Sequence, residues 1–216
     1  GGAIFIQYST KTYFYGSLVS CQFTNCETTS QGGALNIKIN QAKYHTVNIE
    51  GCTFTNNKAA NYGGAIYSIA RDRLTIQHST FTNNEALNGS SLWIQVGWHE
   101  GTDLDDELVL FNNKFIFKPS ETNPINVYIQ SNTLKNANIV PNANLFIGLC
   151  SFEGEKINGA NHKHLVIAEQ GAFQSVTFTD CNCLQGESNT VTITTTVETN
   201  TDNLKFDCSN MDKCTG

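Results

Sequence analysis

Apolar and polar residues alternate in short runs along this chain. In VNIEGCTFTNN (residues 47–57), Val47 and Ile49 alternate with polar neighbours, Gly51 shifts the phase, and Cys52 and Phe54 resume it. A period of two over a few residues, broken by Gly and Asn, predicts strands joined by tight turns. No segment sustains a period of 3.6, so the pattern predicts no helix.

The pattern recurs. Phe54 has counterparts at Phe23, Phe81, Phe115, Phe152, Phe178 and Phe206, at steps of 31, 27, 34, 37, 26 and 28 residues. Five residues before the Phe stand Leu18, Ile49, Ile76, Leu110, Ile147 and Phe173. Two before it stand Cys21, Cys52, Ser79, Asn113, Cys150, Val176 and Leu204. Leu35, Ile66, Leu92, Val127, Val166 and Val191 follow eleven to fourteen residues after it. Gly-Gly-Ala follows the Phe at Gly32 and Gly63, and Gly1-Gly2-Ala3 reads as the tail of a further copy. Three short strands in a unit of about thirty residues fit one coil of a solenoid. The predicted fold is therefore all-β, a parallel β-helix of about seven coils. An ordinary β-sandwich has no reason to repeat one Phe column seven times.

Stacking explains the chemistry of each column. Coils about 4.8 Å apart bring each residue over its own kind. Asn56-Asn57 and Asn83-Asn84 fall where the Phe strand must turn; Asn accepts left-handed backbone angles, and its amide can bond the Asn of the next coil. Gly-Gly permits a positive φ before the third strand.

These motifs resemble a known family. FxxN at Phe54–Asn57 and Phe81–Asn84, with GGA[ILV] at 1–4, 32–35 and 63–66, is similar to the repeat of the chlamydial polymorphic outer-membrane proteins. The fuller form CxFxNNxAxxxGGAIY resembles copies in large protist surface proteins. The resemblance covers residues 1 to about 95, and beyond them only the Phe and strand columns persist. It implies a right-handed β-helix, surface display and adhesion, and brings no catalytic residues.

Composition narrows the partners. The net charge is −6, the pI is near 5.3, and Arg71 and Arg73 are the only arginines, so no footprint for nucleic acid or an anionic membrane is present. The 26 Asn and 24 Thr suit turns and strands. No apolar run reaches the roughly 20 residues of a membrane helix. The opening Gly-Gly-Ala has neither Met nor signal peptide, which suggests one β-helical segment, 1–216, of a longer chain. Unpaired strand edges at both ends predict further coils or subunits stacked there. The expected location is extracellular or at the cell surface, and a host, matrix or carbohydrate surface is an expected target.

Three insertions leave the coil, near 97–107, 131–144 and 154–164. The first carries Glu100, Asp103, Asp105, Asp106 and Glu107, a spacing with Ca²⁺-binding potential but without the glycine of an EF-hand; a solvated acidic loop is the plainer reading. His162 and His164 could share a strand face, yet no third ligand accompanies them, and no metal site is assigned. Trp93 sits at a strand position among core residues, whereas Trp98 is the better exposed aromatic. Asn88-Gly89-Ser90 is the only glycosylation sequon.

Eight cysteines in an Asn- and Thr-rich chain fit an oxidising compartment. Cys21 and Cys52 share one column, which allows either a bridge or a stack of buried thiols. Cys181, Cys183, Cys208 and Cys214 crowd the last coils, where at least one bridge is expected.

Two classes of function compete. The first is a structural or adhesive module that acts by binding or assembly, with no catalytic residues. The second is a polysaccharide lyase or glycoside hydrolase of the pectin-lyase-like β-helix type, which requires converging carboxylates. Asp180 is the lone carboxylate next to the Phe column in the regular part, and Arg71-Asp72-Arg73 is the only basic-acidic knot. Thr53, Thr55, Thr80, Thr82, Thr177 and Thr179 also raise an ice- or mineral-binding face, which strand preference already explains.

Overall fold

The computed structural model describes residues 2–8, 13–39, 45–69, 73–96, 106–118, 125–131, 143–154, 163–169, 173–179, 182–184, 190–195 and 204–207. Among them every regular element is a strand. Strands are numbered in chain order. Sheet A collects the strands that follow the glycine corners: β1 (Ile4–Tyr8), β5 (Leu35–Ile39), β9 (Ile66–Ile69), β12 (Leu92–Val96), β15 (Ile125–Ser131), β18 (Lys163–Glu169) and β21 (Thr190–Thr195). Sheet B contains β2 (Phe14–Val19), β6 (His45–Glu50), β10 (Arg73–Gln77), β13 (Asp106–Phe111), β16 (Ala143–Gly148), β19 (Phe173–Thr179) and β22 (Leu204–Asp207). Sheet C contains β3 (Gln22–Thr24), β7 (Thr53–Thr55), β11 (Thr80–Thr82), β14 (Lys114–Phe117), β17 (Ser151–Gly154) and β20 (Asn182–Leu184). A short pair, β4 (Glu27–Thr28) with β8 (Lys58–Ala59), links them at one corner. Neighbouring strands in each sheet run parallel, so the chain winds as a parallel β-solenoid.

The register puts like on like. Phe23, Phe54, Phe81, Phe115 and Phe152 are successive partners in sheet C. Their rings stack face to face at 4.9–5.1 Å, tilted by 3–14°. Leu18, Ile49, Ile76, Leu110 and Ile147 form the matching column of sheet B. Leu35, Ile66, Leu92, Val127 and Leu165 form that of sheet A. Beyond the half-buried Leu18, these columns make one continuous buried core.

Four column assignments are corrected. Val176 and Leu204 leave the Cys52 column for that of Leu145 in sheet B. Phe178 and Phe206 leave the Phe column: Phe178 is the sheet B partner of Ile147, and Phe206 is the partner of Phe178. Cys183 takes the place opposite Phe152. Phe173 pairs with Ala143, and Leu165, not Val166, continues the sheet A column. The physical reason is that the inward positions of sheets B and C both accept a large apolar side chain, and they lie five residues apart. Val176, Phe178 and Cys183 repeat the spacing of Val47, Ile49 and Phe54.

Each corner has its own device. Between sheets B and C the chain turns through positive φ at Ser20, Gly51, His78, Asn112 and Leu149. The next residue's side chain then zips one coil to the previous one. Cys21 N–H donates to Cys52 Sγ (3.4 Å), Cys52 N–H to Ser79 Oγ (3.1 Å) and Ser79 N–H to Asn113 Oδ1 (3.0 Å). This explains why Cys, Ser and Asn exchange there: each brings an acceptor to an otherwise orphaned amide. After sheet C, Asn25, Asn56 and Asn83 take the left-handed conformation. The asparagines that follow form an internal ladder. Cys26 N–H donates to Asn57 Oδ1 (3.0 Å), Asn57 N–H to Asn84 Oδ1 (2.9 Å), and the Nδ2 groups of Asn57 and Asn84 donate to the carbonyls of Phe23 and Phe54 (3.0 Å each).

At the third corner Gly63 has φ +64°, and a Cβ on Gly64 would overlap the Ser90 carbonyl and the Glu85 backbone of the next coil. The Gly-Gly pair therefore serves two needs, a left-handed turn and a close backbone approach.

Asn57→Ala leaves Cys26 N–H and the Phe23 carbonyl without their partner in the interior, and is expected to cost about 3 kcal/mol in urea unfolding. Leu149→Gly relieves a left-handed leucine that is half exposed, and is expected to gain about 1 kcal/mol in the same measurement.

Candidate interaction surfaces

Inward and corner side chains are committed to the stack, and on sheet A the outward Asn36, Tyr67, Trp93 and Val166 are buried as well, so the outward positions of sheets B and C are the more open ones. On sheet A, Phe5, Asn36, Tyr67, Trp93, Tyr128 and Val166 share one outward column. Tyr67 and Trp93 stack at 4.8 Å and 13°, and Trp93 and Tyr128 at 6.2 Å and 8°. Tyr62 packs against them, 5.3 Å from Trp93. Lys38 fills the gap that Asn36 leaves in the ladder, its Nζ 6.0 Å from the Phe5 ring and 5.6 Å from Tyr67. Trp93 is only 7% exposed, as its strand position predicts. Rings that stack on one another present edges rather than faces, so this ladder is a clamp and not a platform for sugar rings. Burial, followed by the charge of Tyr62, raises the phenols of Tyr67 and Tyr128 above the ordinary tyrosine value.

Sheet C presents short polar side chains. Thr24, Thr55 and Thr82 align in one column, and Gln22, Thr53 and Thr80 in the other. The next coils break the array with Lys114 and Ile116, then Ser151 and Glu153. On sheet B, Phe111 and Phe146 lie 6.3 Å apart, with His78 edge-on to Phe111 at 5.8 Å.

Charges pair from coil to coil. Lys58 Nζ lies 3.1 Å from Glu85, Lys114 Nζ lies 2.8 Å from Glu153, and Arg73 bonds Glu107. Glu107, part of the acidic insertion, is thus engaged by a cation, and residues 97–105 of that loop lie outside the described residues, as does Trp98. So do Asp180, Arg71 and Asp72. Among the described residues no group of three or more His, Cys, Asp or Glu is placed to hold a metal. His164 turns inward, fully buried against the rings of Phe117 and Phe152 at 6.2 and 5.9 Å. It therefore offers no outer-face partner to His162, which lies outside the described residues.

Cys21 and Cys52 are free thiols, so their column holds the thiol stack rather than the bridge. Burial raises the Cys52 thiol above its ordinary value, against the lowering effect of the hydrogen bond from Cys21 N–H. Cys52 is accordingly a structural acceptor and a poor nucleophile. Cys181, Cys208 and Cys214 lie outside the described residues, and Cys183 is placed by its backbone alone.

The sequon has a structural role that the sequence reading missed. Gly63 N–H donates to Asn88 O, Gly64 N–H to Gly89 O, and Ala65 N–H to Ser90 O. Asn88-Gly89-Ser90-Ser91 is thus the fourth copy of the glycine corner, with Ser90 and Ser91 in the places of Gly64 and Ala65. Ser90 Oγ is buried and donates to Ile125 O at 2.9 Å, and Asn88 is half-buried. Gly89 keeps the positive φ of +64°, one residue past the Asn88–Tyr62 bridge, while Ser90 takes the second position of the pair.

Residues 51–69 match the family model of the Chlamydia polymorphic membrane protein repeat. They run from the turn glycine Gly51 through Phe54, the Asn56-Asn57 corner and Gly63-Gly64 to the end of β9. No curated protein and no solved structure matches the chain.

Two outcomes test this account. Cys52→Ser keeps an acceptor for Cys21 N–H and should change stability by less than about 1 kcal/mol, whereas Cys52→Val should cost about 2 kcal/mol, read by urea unfolding. In an alkaline titration followed by tyrosine absorbance, Tyr67 and Tyr128 should ionise above the usual value of 10.0. Their folded-state values are raised, so the stability they confer is intact below pH 10.0 and is lost as pH climbs through the folded values.

Proposed function

We propose that the chain is a right-handed β-helix of about seven coils that works as an extracellular or cell-surface module and acts by binding and not by catalysis. The observation that carries this reading is the match of residues 51–69 to the Chlamydia polymorphic membrane protein repeat, in the segment where the three corner devices are most regular. The outer surface supports it. Its carboxylates at Glu85, Glu107 and Glu153 are each neutralised by a basic side chain, rather than converging on a shared point as hydrolysis of a glycosidic bond requires. Stacked coils make a long rod whose faces offer many weak contacts at once, an arrangement suited to adhesion to a cell, matrix or carbohydrate surface. In a secreted setting Asn88 carries a glycan. It is attached before folding, because the Ser90 hydroxyl is buried afterwards.

Beads coated with the purified chain should adhere to host cells or extracellular matrix, and soluble chain should compete. Absence of adhesion, together with cleavage of polygalacturonate that is lost in Asp180→Ala, would replace this reading with the lyase or hydrolase. An intact mass of the secreted chain equal to that of the bare sequence would remove the glycan.

A further inference from the structure

The packing role of the sheet A ladder leaves its redox chemistry unused. Trp93 stands at the centre of the ladder, its ring 4.8 Å from Tyr67, 5.3 Å from Tyr62 and 6.2 Å from Tyr128. Tyr62 also lies 6.4 Å from Tyr67. All four rings are therefore within aromatic contact range of a neighbour. Indole and phenol give up a single electron more readily than any aliphatic side chain, and rings in contact pass an electron without a carrier. The rings differ in their access to water. Tyr67 and Trp93 are sealed, at 5% and 7% exposure, whereas Tyr62, at the corner just before Gly63, is half-buried. A phenol that loses an electron becomes a strong acid and must shed its proton; burial penalises the charged form if the proton has nowhere to go. Tyr67 and Tyr128 already feel that penalty, for burial raises both phenols above the ordinary tyrosine value.

We propose that the ladder is a redox-active site that collects one-electron oxidation onto Tyr62, and that Tyr62 is the residue modified when the protein meets a small radical oxidant. The oxidant removes one electron from Trp93 and is itself reduced, which leaves an indole radical cation. Tyr62 gives one electron to the indole across 5.3 Å and its phenolic proton to water. The indole is restored, and the net product is a neutral phenoxyl radical on Tyr62. Tyr67 and Tyr128 pass an electron to Trp93 in the same way but do not keep the radical, because their protons are harder to release. The ring carbon ortho to the Tyr62 oxygen then forms a covalent bond to a second radical or to a trap. Exposure alone predicts a different outcome: Tyr13 and Tyr15, outside sheet A, are 77% and 72% exposed and would be modified first. This inference goes beyond adhesion and does not rest on it.

Pulse oxidation by azide radical, followed by transient absorption, tests it in Trp98→Phe, which leaves Trp93 as the only tryptophan. The tryptophanyl absorption should give way to tyrosyl absorption at a rate independent of protein concentration. With a nitroso spin trap present, peptide mass mapping should place the adduct on Tyr62 ahead of Tyr13 and Tyr15. Tyr62→Phe in this background keeps the ring but has no phenolic proton, so the fast transfer should be lost and the tryptophanyl radical should persist. Trp93→Phe, also ring for ring, should lower the adduct on Tyr62 and leave that on Tyr13 and Tyr15 unchanged. Urea unfolding of both variants checks that the coil is intact. An adduct that follows exposure onto Tyr13 and Tyr15 overturns the proposal. So does a tryptophanyl radical that decays only through encounters between molecules, or a fast transfer that survives Tyr62→Phe. Each of these results leaves the adhesion reading standing, because that reading is measured on a target surface.

Discussion

Parallel, in-register stacking is the constraint from which the rest follows. When every coil lies directly over the last, a side chain's nearest neighbours along the axis are residues one repeat away. Each position must therefore tolerate its own kind at the strand spacing. Phenylalanine meets this with face-to-face rings, Ile and Leu with interlocking branches, and asparagine with a chain of amide bonds. Isolated buried amides would be costly; in a ladder, each unsatisfied group of one coil is answered by the next.

The corners show the same rule under a harder condition. A sharp turn leaves an amide or carbonyl without a strand partner, and that group must be satisfied inside the stack. The chain uses three solutions: a thiol, hydroxyl or amide acceptor after sheet B, an asparagine ladder after sheet C, and glycines that let two backbones approach directly before sheet A. The solutions differ because the rooms differ. Among the described glycines, only at the glycine corner does the neighbouring backbone occupy the space of a Cβ.

This explains what could be read from the sequence. Where a column admits one residue type, the type marks the position: the FTNN and GGA motifs located strands, turns and register from Phe23 to Leu92 without coordinates. Where two columns admit the same type, identity misleads. Phe178 takes a register position in sheet B while the earlier Phe residues take theirs in sheet C, and only its spacing to Val176 and Cys183 separates the two. The sequon hid a corner because Ser90 stands where the other copies carry a second glycine. The side that His164 faces is not legible in the sequence, because alternation fixes it only once the phase is known, and the register shifts between Lys163 and Leu165.

The outer faces obey weaker rules, and there the physics of the fold stops determining the sequence. A solenoid's stability is close to a sum of coil and neighbour terms, most of them carried by inward and corner side chains. Outward residues can then vary with little loss: sheet C changes from Thr to Lys, Ile and Glu, and sheet A replaces one rung of its aromatic ladder with Asn36 and Lys38. The Lys38 rung shows how far this freedom extends, since an ammonium held against Phe5 and Tyr67 continues a stack that began as rings. A rod with a strict interior and a permissive exterior separates architecture from recognition. It can keep one repeat motif along its length while every coil shows a different surface.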